Sequence, residues 1–312
     1  MRVETVDYHT GGEPFRIVTG GVAPPAGRTI LEQRRSALEH LDDVRKLLVH
    51  EPRGHADMYG CFVTEPEEGA DLGVVFFHNE GYSTACGHGT IALVTWALET
   101  GRIEPSEPET RVVVDVPSGR LETWARVEGG DVRSVRFRNV PAFVHSGQVS
   151  FGGAFYASVE ERVDPAELPR LIELGRRVKA ELEAEQEFVH PLEPELRGIY
   201  GVIFWQDEGD GPPLVQRNVT VFADGEVDRS PCGSGTSARL ALLRAEGRIG
   251  VGDEFVHRSI VGSEFRASIV GETEVAGRPA VITEVEGSAH LTGRHEFVLE
   301  PGDELGLGFL LR

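Results

Sequence analysis

The composition is that of an ordinary soluble globular protein of two domains. The chain has 312 residues, of which 40% are hydrophobic and 26% are charged, and domains commonly hold about 150 residues each. Its formal net charge of −20 disfavours nucleic acids and anionic membranes as partners, because like charges repel. No apolar run approaches the roughly 20 residues of a membrane helix, and the N-terminus lacks the apolar region of a signal peptide, so we expect a cytoplasmic protein.

The local patterns predict many short strands and a few helices. In chain order, the predicted elements are two strands within 1–22 joined by the Gly-rich turn HTGGEP (9–14), a helix over 28–49, a strand over 71–79, several alternating β runs within 111–158, a helix over 164–187, the strands GIYGVIFW and NVTVFA, and short strands with Gly turns over 251–312. This mixture indicates an α+β fold.

The cysteine and lysine counts restrict the chemistry. Three cysteines without a secretion signal argue against a disulfide framework. Cys61 lies in a predicted strand, and we expect a small buried core residue there. The two lysines, Lys46 and Lys179, lie in helical patterns with polar faces, and neither resembles a Schiff-base lysine. We therefore expect no cofactor.

An internal repeat is the strongest organisational signal. CGHGTIALVTWALETGRI (86–103) matches CGSGTSARLALLRAEGRI (232–249) at eight of 18 positions, with an offset of 146 residues. Each copy begins with a cysteine and a Gly-rich turn, continues as an apolar helix and ends at a glycine suited to a helix C-terminus. Helices this apolar are buried, so the repeat predicts two similar domains, each with one central helix.

A cysteine at a helix start is suited to proton transfer. The positive end of the helix favours the thiolate, and the N–H groups of the first turn bind carboxylates. Two such elements aimed at one cleft could take the α-proton of an amino acid from one face and return a proton to the other, with the carbanion stabilised through its carboxylate.

Three other readings of Cys86 and Cys232 stay open. Cys86 and His88 could be metal ligands, although the chain has no Cys-x-x-Cys and no His-x-x-x-His. A Cys–His pair could act in acyl transfer, which would leave the duplication unexplained. The two cysteines could also be structural residues at buried helix starts.

The motifs resemble those of the proline racemase superfamily. CGHGT (86–90) and DRSPCGSGTSAR (228–239) are similar to its two active-site motifs, and VDYHTGGEP (6–14) and EPRGHADMYG (51–60) to its N-terminal patterns. The resemblance covers nearly the whole chain. It implies a diaminopimelate-epimerase-like fold of two pseudo-symmetric, barrel-like α/β domains, each around a central helix. We place the first domain at 1–132 plus about 294–312, and the second at 133–293.

The resemblance also implies roles for single residues. Cys86 and Cys232 would be the acid/base pair, and Asp228 would hold the ring ammonium of a small cyclic imino acid. The remaining residues would supply backbone contacts to the substrate carboxylate: Gly87, His88, Gly233 and Ser234. The simpler readings are a turn-forming Asp228 and a capping His88 whose side chain plays no part. A homodimer is compatible with the sequence.

Two features separate the branches of the superfamily. HNEGYSTACGHG (78–89) and HTGGEP look more like the trans-3-hydroxy-L-proline dehydratases, which usually carry threonine in place of Cys232. Racemisation needs two thiols, and this chain has both. Many 4-hydroxyproline epimerases have a histidine in the strand YGVIFWQD (200–207), which has none here. The sequence therefore favours a racemase or epimerase of proline or a hydroxyproline, with a dehydratase and a non-catalytic binding paralogue as alternatives.

Overall fold

The chain divides into two compact units. The structure, a computed structural model, describes residues 1–209 and 211–311. One unit comprises Met1–Val135 with Ser288–Arg312, and the other Arg136–Gly287.

Strands outnumber helices in the described residues. The strands are β1 (Arg2–Thr10), β2 (Glu13–Gly20), β3 (Tyr59–Thr64), β4 (Leu72–His78), β5 (Glu109–Val116), β6 (Gly119–Glu128), β7 (Asp131–Arg138), β8 (Ala142–Ser146), β9 (Val149–Phe151), β10 (Phe155–Glu160), β11 (Ile199–Asp207), β12 (Leu214–Phe222), β13 (Glu226–Asp228), β14 (Glu254–Ser259), β15 (Glu264–Val275), β16 (Arg278–Gly287) and β17 (Ala289–Val298). The α-helices are α1 (Ile30–His40), α2 (Asp42–Val49), α3 (Gly87–Glu99), α4 (Leu168–Glu185) and α5 (Gly233–Ala245). The predicted α+β class is confirmed.

The first unit wraps a mixed sheet around α3. Its strands pair in the order β17, β1, β2, β3, β4, β5 and β6. The β2–β3 and β4–β5 pairs are parallel, and the others are antiparallel. Helix α3 packs against β1, β2, β3, β6 and β17, and its residues 87–98 are buried. A predominantly apolar helix is thereby removed from water on every face.

The second unit closes eight strands around α5. The pairing runs β8, β9, β10, β11, β12, β14, β15 and β16, and returns to β8. Helix α5 packs against β8, β9, β10, β15 and β16, with residues 233–243 buried. Helix α4 lies against β11 and β12. Only the last two residues of α5, Arg244 and Ala245, are exposed.

The two units repeat one order of elements. Two antiparallel strands, a helical connection, a hairpin, the central helix and a second hairpin follow each other in both. Both central helices are followed by a left-handed glycine, Gly101 (φ 70°) and Gly247 (φ 71°). These are the two glycines that the repeat predicts for the helix ends.

The predicted helix over 28–49 is wrong in one respect, because it is two helices. The chain breaks at Leu41 (φ −120°, ψ 9°), and α2 restarts with Asp42 and Asp43 in its first turn. Acidic residues stabilise a helix N-terminus, and this signal outweighed the regular apolar spacing. Leu38 of α1 is 56% exposed, so it lies outside the core.

The third cysteine belongs to the core of the first unit. Cys61 is fully buried in β3 and unpaired in any disulfide. Burial raises the pKa of its thiol well above the ordinary value. The prediction of a core residue is confirmed.

Across the part of the chain that the structure describes, no helix combines the length and the apolar character that crossing a membrane requires.

Candidate active site

Cys86 is the N-cap residue of α3. Its backbone is extended (φ −154°, ψ 97°), and its Sγ accepts a hydrogen bond from the Gly89 N–H at 3.3 Å. Thr90 Oγ1 donates to the Cys86 carbonyl at 2.9 Å. The helix N-terminus and the Gly89 N–H both stabilise negative charge on the sulfur.

His88 lies buried beside this thiol. The Cys86 Sγ is 3.6 Å from each ring nitrogen. The ring packs edge-on against Phe15 and Tyr59, and Thr10 Oγ1 donates to the His88 carbonyl at 3.0 Å. The motifs at 6–14 and 51–60 therefore hold the first turn of α3. The imidazole of His88, and not only its backbone, borders the thiol.

Cys232 is the N-cap residue of α5 but has a different geometry. Its backbone is left-handed (φ 63°, ψ 93°). Hydrogen bonds with Thr220, the Gly235 N–H and Tyr156 act to lower the pKa of its thiol. Burial raises the pKa of the Cys232 thiol, and the negative charge of Asp228 raises it further. Burial is the largest of these effects, and it favours the protonated thiol.

Asp228 ends β13 and is buried beside Cys232. Its Oδ1 accepts a hydrogen bond from the Ser230 N–H at 2.8 Å. Burial raises the pKa of Asp228 to about 6, while hydrogen bonds from Ser230 and from the Cys232 thiol act in the opposite direction. A buried carboxylate gains from a cationic ligand, so the position is chemically suited to a substrate ammonium.

Tyr156 adds a hydroxyl to the Cys232 environment. Its oxygen is 3.9 Å from the Cys232 Sγ and 2.7 Å from the Ser234 Oγ. The tyrosine is buried on β10, 76 residues before the cysteine. Nothing in its sequence neighbourhood indicates this contact, whereas Ser230 lies within the DRSPC motif itself.

The predicted site residues gather at two helix starts. Cys86, Gly87 and His88 form the start of α3 in the first unit. The other four lie around the start of α5 in the second unit: Asp228, Cys232, Gly233 and Ser234. Among residues 1–209 and 211–311, no group of three or more His, Cys, Asp or Glu side chains could hold a metal ion.

Known proteins match this chain along nearly its whole length. The sequence model of the proline racemase family matches residues 5–310. A 3-hydroxyproline 2-epimerase of Burkholderia multivorans is 46% identical over 99% of this chain and 98% of its own. A trans-3-hydroxy-L-proline dehydratase of Bacillus thuringiensis subsp. konkukian is 45% identical over 98% of this chain and 97% of its own.

A solved structure agrees with the sequence matches. The crystal structure of a hydroxyproline epimerase from Agrobacterium vitis, with bound trans-4-hydroxy-L-proline, superposes with a TM-score of 0.91. It is 34% identical and covers 99% of this chain and 96% of that one. The fold is the diaminopimelate-epimerase-like one that the motifs implied, and the chain belongs to the proline racemase family.

Proposed function

We propose that the protein epimerises a hydroxyproline at its α-carbon, with 3-hydroxyproline as the first candidate substrate. In this proposal Cys86 and Cys232 are the two acid/base groups. The two thiols carry out both proton transfers, backbone N–H groups bind the substrate, and no cofactor takes part.

The presence of a second thiol supports epimerisation most directly. Inversion at a carbon needs one group that removes the proton and another that returns a proton from the opposite face. Cys232 occupies the helix start in the second unit that Cys86 occupies in the first. A dehydration would need only one such base.

The substrate class rests on the relatives. Those named for 3-hydroxyproline chemistry are 45–46% identical to this chain. The structure that holds trans-4-hydroxy-L-proline is 34% identical. The higher similarity favours a hydroxyl at the 3-position.

The proposed reaction is a balanced pair of proton transfers. One thiolate takes the α-proton, and the electron pair of the broken C–H bond moves into the substrate carboxylate. The other thiol delivers its proton to the opposite face, so one thiol and one thiolate exchange roles. The backbone N–H groups of Gly87, His88, Gly233 and Ser234 bind the carboxylate.

Asp228 has a separate role in this reaction. It pairs with the ring ammonium of the substrate, whose positive charge makes the α-proton more acidic. The pairing offsets the cost of burying both charges.

The direct test offers three imino acids separately in heavy water: trans-3-hydroxy-L-proline, trans-4-hydroxy-L-proline and L-proline. We expect trans-3-hydroxy-L-proline to give cis-3-hydroxy-D-proline with deuterium on the α-carbon. Proton NMR follows the reaction through the loss of the α-proton signal. Absence of α-exchange with all three would rule out the proposal. Pyrrole-2-carboxylate is a planar mimic of the carbanion. If its binding protects both thiols from alkylation, this result would support the proposal.

Inversion also requires both sulfurs to reach one substrate molecule. Under mild oxidation without substrate, we therefore expect reversible inactivation through a Cys86–Cys232 disulfide. Peptide mapping by mass spectrometry detects the cross-link. Inactivated protein with only unlinked cysteines would contradict the requirement.

Dehydration of trans-3-hydroxy-L-proline is the second candidate, favoured by the names of several relatives. Here a thiolate takes the α-proton, the electron pair of the C–H bond forms the ring double bond, and the C–O bond at the 3-position breaks. The thiol just formed returns its proton to the departing hydroxide, which leaves as water and regenerates the thiolate. The same NMR experiment separates the two reactions by their products. Cys232→Ser sharpens the separation, because dehydration through Cys86 would survive it and epimerisation would not.

A further inference from the structure

The backbone of Cys232 is in a conformation that cysteine rarely adopts. Its φ of 63° lies in the left-handed region, which suits glycine and imposes a steric cost on other residues. Such a conformation persists only when surrounding contacts hold it. The direction of the thiol depends on it, because the backbone sets where Sγ points.

Two hydroxyl side chains hold this backbone from either side. The Cys232 N–H donates to the Ser230 Oγ at 3.1 Å. The Cys232 carbonyl accepts from the Thr236 Oγ1 at 2.8 Å. All three residues are buried, so water does not compete for these bonds.

The second of these contacts extends to a histidine on another element. Thr236 Oγ1 lies 2.8 Å from Nδ1 of His257, which is fully buried in β14. Thr236 Oγ1 also lies within hydrogen-bond distance of two carbonyls, those of Cys232 at 2.8 Å and Pro231 at 3.3 Å. With its proton on a carbonyl, its oxygen accepts from the Nδ1–H tautomer of His257. Burial lowers the pKa of His257 to about 3, and the charge of Arg239 acts in the same direction, so the ring stays neutral.

No substrate role is needed to explain where this ring lies. Its Nε2 has no hydrogen-bond partner among the described residues. Within the part of the chain that the structure describes, the ring hydrogen-bonds only to Thr236, and it packs beside the ring of Phe255. A buried nitrogen without a partner costs free energy, so the bond to Thr236 is the polar contact that accounts for a histidine here.

The first unit has the threonine but not the histidine. Thr90 makes the same bond to the carbonyl of Cys86, whose backbone is extended. Strand β5, which follows α3 as β14 follows α5, presents three buried valines, Val112, Val113 and Val114, in its middle. The histidine therefore accompanies the strained cysteine and not the relaxed one.

We propose that His257 is a positioning residue for Cys232: through Thr236 it fixes the left-handed backbone and thereby the direction in which the thiol points. The role rests on the proposed function, in which Cys232 transfers a proton. His257 itself touches no reacting atom.

The test isolates proton transfer at each sulfur. In Cys86→Ser, deuterium enters the α-position only through Cys232, and in Cys232→Ser only through Cys86. His257→Leu is added to each background, and exchange is followed in heavy water with both 3-hydroxyproline epimers. We expect exchange through Cys232 to fall about 10- to 100-fold, as misplaced reacting groups do, and exchange through Cys86 to change less than about threefold.

Matched variants separate positioning from damage to the fold. His257→Asn offers an amide N–H to Thr236 and should restore much of the exchange through Cys232. Thr236→Val should reproduce His257→Leu, and the two together should add little. Thr90→Val should instead slow exchange through Cys86 alone.

Equal loss of exchange at both sulfurs, or no loss at Cys232, would overturn the proposal. A second measurement does not depend on the reaction. The alkylation rate of Cys232 in substrate-free protein should change at least about threefold in His257→Leu while that of Cys86 does not. If no imino acid exchanges in the wild-type protein, the proposed function fails, and the alkylation rates still decide the role of His257.

Discussion

The starts of α3 and α5 share a five-residue pattern but not a backbone. Cys86 is extended and accepts a hydrogen bond from Gly89, with the ring of His88 beside its sulfur. Cys232 is left-handed and lies beside the carboxylate of Asp228. In both copies a threonine four residues later donates to the cysteine carbonyl.

The comparison shows which features of a duplicated element are kept. The threonine and the C-terminal glycine maintain the helix, and both copies retain them. The surroundings of the two sulfurs have diverged, because an N–H donates to Cys86 whereas a carboxylate lies beside Cys232. In the proposed reaction, this difference would let the two equivalent positions start in different protonation states.

The largest effect is expected from removing either thiol. Cys86→Ser and Cys232→Ser should each lower epimerisation by about 1,000-fold, within the range for losing a general acid or base. Each variant should still wash deuterium into one epimer, the one whose α-proton faces the remaining thiol, as NMR on each pure epimer would show. If both variants exchanged the α-proton of the same epimer, the two thiols would not act on opposite faces of the substrate.

Asp228→Asn should lower kcat/KM by about 100-fold, because a charged partner for the substrate ammonium is lost. The amide oxygen still accepts from the Ser230 N–H, so the local backbone is kept. Steady-state rates with the preferred epimer measure the loss, and Asp224→Asn, on the exposed turn after β12, is the control. Unchanged kcat/KM would remove Asp228 from the substrate site.

Asp228→Asn should also be more stable to unfolding than the wild type above pH 6. The pKa of Asp228 moves from 3.8 to about 6 on folding, which corresponds to about 3 kcal/mol. Between these pH values the folded state binds more protons than the unfolded state, so wild-type stability falls as pH rises and then levels off. Urea unfolding at pH 8 should show the gain in Asp228→Asn, and at pH 3.5 the gain should vanish.

Much of each helix start was predictable because it is local. The N-cap cysteines, the buried central helices and the glycines at Gly101 and Gly247 follow from residues that are neighbours in sequence. The left-handed φ of Cys232 does not, since the sequence copy at Cys86 is extended. Propensity alone gives no reason for the two copies to differ.

Long-range contacts account for what the sequence missed. Tyr156 and His257 come from strands 76 and 25 residues away from Cys232, and neither lies in a motif. Asp42 and Asp43 indicate a helix start in the sequence, but the regular apolar spacing over 28–49 favours one continuous helix. The role of Asp228 came from the family resemblance, and the structure adds its burial beside the thiol.

A thiol-reactivity difference tests the electrostatic part of the comparison. We expect iodoacetamide at pH 7.5 to alkylate Cys86 at least about tenfold faster than Cys232, because the thiolate is the nucleophile. Access does not decide the outcome, since the two residues are 6% and 5% exposed. Peptide mapping in a Cys61→Ala background gives both rates, and Asp228→Asn should narrow the gap. Equal rates in the wild-type protein would mean that the two sulfurs ionise alike.

The smallest expected effect is a difference in stability between two glycine-to-alanine variants. Gly89 and Gly235 each lie three residues after a cysteine, and the space around them differs. In Gly89→Ala the new Cβ would lie 2.3 Å from the ring of buried Phe15 and 2.7 Å from the Cys86 Sγ. In Gly235→Ala it would lie 2.8 Å from the Cys232 Sγ and 3.1 Å from Cδ1 of Ile203.

The rigid ring cannot yield as the end of an isoleucine side chain can, so the first substitution should cost about 2 to 3 kcal/mol. The second should cost about 1 kcal/mol, because helix propensity favours alanine over glycine and offsets part of the crowding. Urea unfolding at one pH measures both. Equal losses would show that the two helix starts are packed alike, and the difference between the two sulfurs would then rest on charge alone.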